Sequence, residues 1–241
     1  MSSFYSAFAE HYEAVFPFRP PTYAFLRRRL PPPPARVLDI GCGTGHYCGR
    51  LRAEGYRSLG IDSDAEMIAA ARQRYPAARF EVQSMEAIAA LEGEYAAAFC
   101  IGNVIAHLPS GTRERFLRAL RARLRPGACW IVQSVNWDAL PWREGYRFPP
   151  RRVNGDGLRF ERRYAPAGRE TVLFQTRLAR GEDELFSGET TLYPLEARAE
   201  QEIHGRCGFA LSERCGDYRG RAYQAAVSPA RISVWHALAR S

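Results

Sequence analysis

The stretch Val37-Leu38-Asp39-Ile40-Gly41-Cys42-Gly43-Thr44-Gly45 decides how this chain is read. A short apolar run feeds three glycines at alternate positions, and a helix-like segment from His46 to Glu54 follows at once. A buried strand that turns sharply into a helix needs glycine where a Cβ would clash or where φ must be positive. The same turn aims free backbone N–H groups at a ligand. Read alone, it specifies a nucleotide-like ligand and no chemistry. The next landmark sharpens it: Leu59-Gly60-Ile61-Asp62 is a second apolar run ending in a carboxylate, placed to accept both ribose hydroxyls of an adenosine.

Outward from these landmarks, strand-like runs at 36–40, 58–62, 79–83, 96–101 and 128–135 alternate with helical patterns over 45–54, 65–74, 85–91 and 112–124. Ser63 or Asp64 caps the second of these helices, and Arg125-Pro126-Gly127 stops the last. Such alternation predicts a parallel sheet with helices on both faces, whose ligands bind beyond the carboxyl ends of the strands. Gly41 to Gly45, Asp62, Ser84-Met85 and Gly102-Asn103 all fall at those ends. Upstream, Phe4, Tyr5, Phe8, Tyr12, Val15 and Phe16 recur at helical spacing until Pro17, Pro20 and Pro21 break the pattern. A second helix over 22–30 runs into the stiff prolines 31–34. After residue 138 the texture changes. Extended segments at 158–164, 171–179 and 185–193, separated by turn signals at 154–157, 167–168 and 180–181, read as an antiparallel insertion of three strands. Residues 195–207 return to helix, Gly208 stops it, and 209–214 and 231–238 read as the last two strands.

The bulk properties exclude more than they select. At 241 residues one compact core with a small appendage is expected. No apolar run reaches membrane-helix length, and residues 1–10 lack the basic flank and apolar segment of a signal peptide, so a cytoplasmic location is expected. The net charge of +8 comes from 34 basic residues that are all arginine. They are dispersed rather than gathered in one stripe, which argues against nucleic acid as the substrate. The six cysteines show no CxxC pair and read as reduced and structural, with no metal site.

With the landmarks in place, the chain resembles the class I S-adenosylmethionine-dependent methyltransferases. VLDIGCGTG resembles that family's first motif and GIDSDAEMIAAAR its second; FEVQSMEAI is similar to the third, AAFCIGNVIAHL to the fourth, and LRPGACWIV to the strand after it. The resemblance implies a Rossmann-like, doubly wound α/β fold with a seven-stranded sheet. Its parts would be an N-terminal helical lid (1–34), a cofactor-binding core (35–138), a substrate insertion (139–194) and a completing segment (195–241). S-adenosylmethionine is the implied cofactor. Gly41, Cys42, Gly43 and Gly45 would take its methionine part, with Asp39 supporting the loop from within. Asp62 and Ser63 would hold the ribose, and Met67, Ser84, Met85 and Ile101 would surround the adenine.

Within the family, Cys-Ile-Gly-Asn103-Val-Ile-Ala-His107-Leu looks most like the glycine and sarcosine N-methyltransferase group. That likeness implies that Tyr12 and Arg19 hold the cofactor carboxylate, and Asn136-Trp137-Asp138 resembles the group's Asn-Tyr-Asp. The chain departs at Val135, where the glycine-methylating enzymes carry an arginine for the substrate carboxylate; Arg143, Arg147 and Arg151 are alternative cations. Methyl transfer is an in-line displacement that needs positioning above all. Asn103 and Tyr12 are the candidates for orienting an amine, and Asn103 also borders the cofactor. His107 is the candidate base should the acceptor be a hydroxyl. The expectation is a monomeric or homodimeric enzyme methylating a small molecule, with an amine nitrogen favoured. A small-molecule O-methyltransferase using His107, and a cofactor-binding regulatory protein without turnover, are the alternatives.

Overall fold

The computed structural model describes residues 9–153 and 157–240. Phe4, Tyr5, Phe8 and the turn positions Asn154 to Asp156 lie outside the described residues. The chain divides into two compact units: Arg19–Ala139 with Leu195–Ser241, and Leu140–Pro194 with the N-terminal stretch through Phe18.

The larger unit is built on a seven-stranded sheet. In chain order its strands are β1 (Arg36–Ile40), β2 (Arg57–Asp62), β3 (Arg79–Val82), β4 (Tyr95–Cys100) and β5 (Leu124–Val135). The insertion then supplies β6 (Tyr146–Arg147), β7 (Arg151–Val153), β8 (Leu158–Pro166), β9 (Val172–Arg180) and β10 (Asp183–Leu192), before β11 (Phe209–Cys215) and β12 (Ala230–Ala237) complete the large sheet. The order across the large sheet is β3-β2-β1-β4-β5-β12-β11. The first five strands run parallel, with Leu38 opposite both Leu59 and Ala98, while β12 is antiparallel to both neighbours. The central strands are continuous apolar runs because helices cover both faces, as in any doubly wound sheet. Leu38, Ile40, Trp130 and Trp235 belong to one buried cluster with Phe116, Leu117 and Leu120 of the helix Arg113–Arg123.

Helices α1 (Ala9–Val15) and α2 (Pro20–Arg27) precede the sheet, and α3 (His46–Ala53) and α4 (Ala65–Arg74) follow β1 and β2. Helix α5 is Arg113–Arg123 and α6 is Ala197–Arg206. Asp64 caps α4, accepting the Glu66 and Met67 amides at 2.9 and 3.2 Å. Three local expectations change. Helix α1 ends before the prolines as expected, and α2, expected over 22–30, starts earlier, with Pro20 and Pro21 in its first turn, where a missing N–H costs nothing. The helix expected over 85–91 is a 3-10 segment, Met85–Ala90, with Ala87 outside helical geometry. Arg125-Pro126-Gly127 does stop α5, but β5 has already begun at Leu124; the register slips against β4 and Gly127 takes a φ of 77°. A bulge is where a parallel strand tolerates proline.

The smaller unit is an antiparallel sheet in the order β10-β9-β8-β6, with β7 also paired to β8. The three long strands stand where the sequence put them, and two short ones add to the sheet. Val15 of α1 is fully buried among Leu158, Phe160, Leu178 and Phe186, with Tyr12 and Phe16 against them. Helix α2 instead buries Phe25 and Leu26 in the larger unit. The two helices expected to act together as one lid therefore fall in different units.

Candidate active site

The carboxyl ends of β1, β2, β3, β4 and β5 form one rim of the large sheet, and the glycine turn lies at its middle. Gly41 has a φ of +71°, and a Cβ there would stand 2.4 Å from the nearer Val104 methyl. At Gly45, φ is +80° and a Cβ would meet the Phe80 ring at 2.6 Å. No other residue fits either position. The Gly41 and Cys42 amides donate to the Ile61 carbonyl at 2.8 and 3.0 Å, which ties the loop to β2. Asp62 then pins it further: Oδ2 accepts the Gly43 amide at 2.9 Å and Oδ1 the Asp64 amide at 3.0 Å. Burial pushes the Asp62 pKa up, against the pull of those amides.

Beneath the loop, Asp39 is 2% exposed and its Oδ2 has no hydrogen-bond partner among the described residues. Burial first, and the Asp62 charge second, raise its pKa well above the usual carboxylate range. Cys42 is half-buried with its sulfur against Gly60, and all six cysteines are free. No group of three or more His, Cys, Asp or Glu among the described residues is placed to hold a metal ion.

The other expected residues arrange themselves around this centre. Met67 is buried in the first turn of α4, Ile101 is buried at the end of β4, and Met85 is half-buried against the core. Ser63 is exposed, and so is Ser84, whose hydroxyl accepts the Glu86 amide at 3.2 Å. Asn103 has a φ of 66°, and its Oδ1 accepts the Val135 amide at 3.1 Å, bridging the ends of β4 and β5. His107 closes the 3-10 turn Val104–His107, and burial lowers its pKa to about 4. Arg19 is exposed at the N-cap of α2, where its main chain bonds the Tyr47 hydroxyl, which also meets Thr22. Tyr12 packs on Phe16, with centroids 5.2 Å apart, in the smaller unit.

Two rim residues were not anticipated. The Gln133 side chain accepts the Gly102 amide at 2.7 Å and lies 3.4 Å from the Tyr218 hydroxyl. Gln133 left one signal, a polar residue inside an apolar strand. Tyr218 lies between β11 and β12 and left none.

Residues 37–127 match the family model described as a methyltransferase domain. Among curated proteins, the chain is 31% identical over 117 residues to a ubiquinone biosynthesis O-methyltransferase from Xanthomonas axonopodis pv. citri, covering 46% of this chain and 48% of that protein. It is 29% identical over 124 residues to the human glycine N-methyltransferase, covering 44% and 42%. The chain thus spans about half the length of the curated relatives it matches. An S-adenosylmethionine-dependent methyltransferase from Clostridium acetobutylicum shares the fold across 98% of this chain and 100% of that one, with a TM-score of 0.79 at 14% identity. The matched segment ends inside β5, and the insertion, α6, β11 and β12 lie beyond it. No helix among the described residues is long and apolar enough to cross a membrane.

Proposed function

We propose that the chain transfers a methyl group from S-adenosylmethionine to the amine nitrogen of a small molecule. The glycine loop fits that donor: left-handed backbone at Gly41 and Gly45, packed on Val104 and Phe80, sets the turn whose amides would face the ligand, and the buried Asp39 Oδ2 lacks a partner among the described residues. Gly41 to Gly45 and Asp39 would hold the methionine end, with Arg19 toward its carboxylate. Asp62 keeps lone pairs for the ribose beyond its two backbone bonds, and Ser63, Met67, Ser84, Met85 and Ile101 would enclose the adenine. When bound, the cofactor supplies an electrophilic methyl on a sulfonium.

The curated relatives methylate both oxygen and nitrogen, so the acceptor atom has to be argued from the site. The observation that carries nitrogen is His107. With its pKa near 4 it is a poor proton acceptor, and a hydroxyl would need a better one. A free amine needs orientation instead. Asn103 Oδ1 spends one lone pair on the Val135 amide and keeps a second for an amine hydrogen.

The test is calorimetry with S-adenosylmethionine and S-adenosylhomocysteine, followed by a turnover screen of small amines, alcohols and carboxylic acids. Amine turnover that survives His107→Ala within about threefold is expected, a change of under 1 kcal/mol in the barrier. Turnover confined to alcohols or acids, abolished by His107→Ala, would sink the nitrogen assignment. Failure to bind either nucleoside at about millimolar concentration would sink the whole reading.

A further inference from the structure

Two almost fully buried charges, Arg231 and Glu200, lie where the chain leaves the larger unit and where it returns. The exit is Asn136-Trp137-Asp138 after β5, and the return is Leu195 to Ala197 at the start of α6. Asp138 accepts the Ala197 amide on both carboxylate oxygens, at 3.2 and 3.1 Å. Helix α6 needs that bond, because Glu196 at its N-cap makes no side-chain cap hydrogen bond. Asp138 thus caps, across the whole insertion, the helix that begins where the insertion ends, and its negative charge meets the positive helix end.

Arg231 of β12 closes the other side. It is 1% exposed; one terminal nitrogen donates to Asp138 Oδ2 at 3.2 Å and the other to the Leu195 carbonyl at 2.6 Å. Its Nε lies 3.1 Å from Glu200 Oε2, which also accepts the Ser233 hydroxyl at 2.6 Å. The Tyr223 hydroxyl stands 2.6 Å from both Asn136 Oδ1 and Asp138 Oδ2, and burial with the Asp138 charge keeps it protonated. The Asn136 amide nitrogen donates to the Ala225 and Ser228 carbonyls at 2.8 and 2.9 Å. Asn136, in the segment that resembles the group's Asn-Tyr-Asp, is therefore spent on structure. Buried charge is costly without partners, and networks that supply them can hold one arrangement against others.

We propose that Asp138 and Arg231 clamp the two stems of the insertion to the end of β5, and that Arg231 is thereby a positioning residue for methyl transfer. The positioning half rests on the function proposed above. The clamp is built on β5, α6 and β12, whereas the adenosine residues belong to β2, α4 and the segments after β3 and β4. The clamp follows directly on Val135, whose amide fixes Asn103, so loosening it reaches the residue proposed to orient the amine and spares the adenosine.

Hydrogen exchange of the full chain, with and without S-adenosylhomocysteine, tests the clamp in Asp138→Asn, Arg231→Lys, Arg231→Met and Tyr223→Phe. Tyr223→Phe removes one hydroxyl and serves where a charge variant does not fold. Exchange about tenfold faster in both stems, 139–145 and 193–199, with β1 and β2 unchanged, is the expected result. Affinity for S-adenosylhomocysteine stays within about twofold, and the acceptor KM rises about fivefold, partly restored in Arg231→Lys relative to Arg231→Met. Stems that stay protected, or only one that loosens, overturn the clamp. Loosened stems with acceptor kcat and KM unchanged overturn the positioning role. A chain that binds neither nucleoside removes the positioning role with the proposed function, and the exchange result still judges the clamp.

Discussion

Asp39 concentrates the conflict between stability and binding at a single residue. A buried carboxylate with one oxygen unpartnered costs free energy when ionised, and the Asp62 charge adds to that cost. Its folded pKa is raised, so the cost is present at neutral pH and is relieved as pH falls through that folded value. Asp39→Asn is therefore expected to raise the urea midpoint at pH 7.5, to lose that advantage in acid, and to weaken S-adenosylmethionine binding about tenfold. A midpoint lowered equally at both pH values would show that the carboxylate is needed for the fold itself. At the glycines the expectation is simpler. Gly45→Ala combines left-handed backbone strain with a Cβ 2.6 Å from Phe80, a loss of roughly 2–3 kcal/mol by denaturation. Residues such as these were legible in the sequence because their constraint is local: a strand, a turn and a helix within ten positions. Gln133 and Tyr218 were not, because what matters about them is a contact between segments far apart in the chain.

At the scale of elements, α4 shows how a local signal carries to the site. Asp64 is its cap, and Met67 and Ile68 are its buried face. Asp64→Ala is expected to cost about 1 kcal/mol in a denaturant titration. Cofactor affinity falls with it, since the helix start that the cap orders also carries the backbone amide that holds Asp62; full affinity in the variant would uncouple the cap from the site. The strands of the large sheet were readable for a related reason, since continuous apolar runs bounded by helices have few other uses. Boundaries were less readable: Pro20 and Pro21 extend α2 two residues before its expected start, and Pro126 sits at a bulge inside β5, both of which depend on neighbours that local composition does not reveal. The short strands β6 and β7, of two and three residues, carry no periodicity to detect.

For the whole molecule, the buried His204 and the half-buried His107 set the response to acid. Burial holds His107 and His204 at a pKa of about 4, and His204 accepts the Trp130 indole N–H at 3.1 Å while stacked on Trp235. The unfolded chain takes up these protons near pH 6.5 and the folded one only near 4. Stability is therefore full above about 6.5 and declines toward 4, by on the order of 2–3 kcal/mol for each histidine. Asp39 works against that trend, so the net fall is smaller than the two histidines alone would cause. A urea midpoint that is flat between pH 7 and 5 in the wild type, and unaltered in slope by His204→Gln, would show that neither ring titrates as its burial implies. The sheet order has a consequence for biogenesis. Strand β12 lies between β5 and β11, so the strand that covers β5 is not synthesised until residues 230–237. During synthesis the Trp130 edge of β5 therefore stays unpaired while the insertion emerges, an open strand edge until the closing strand arrives.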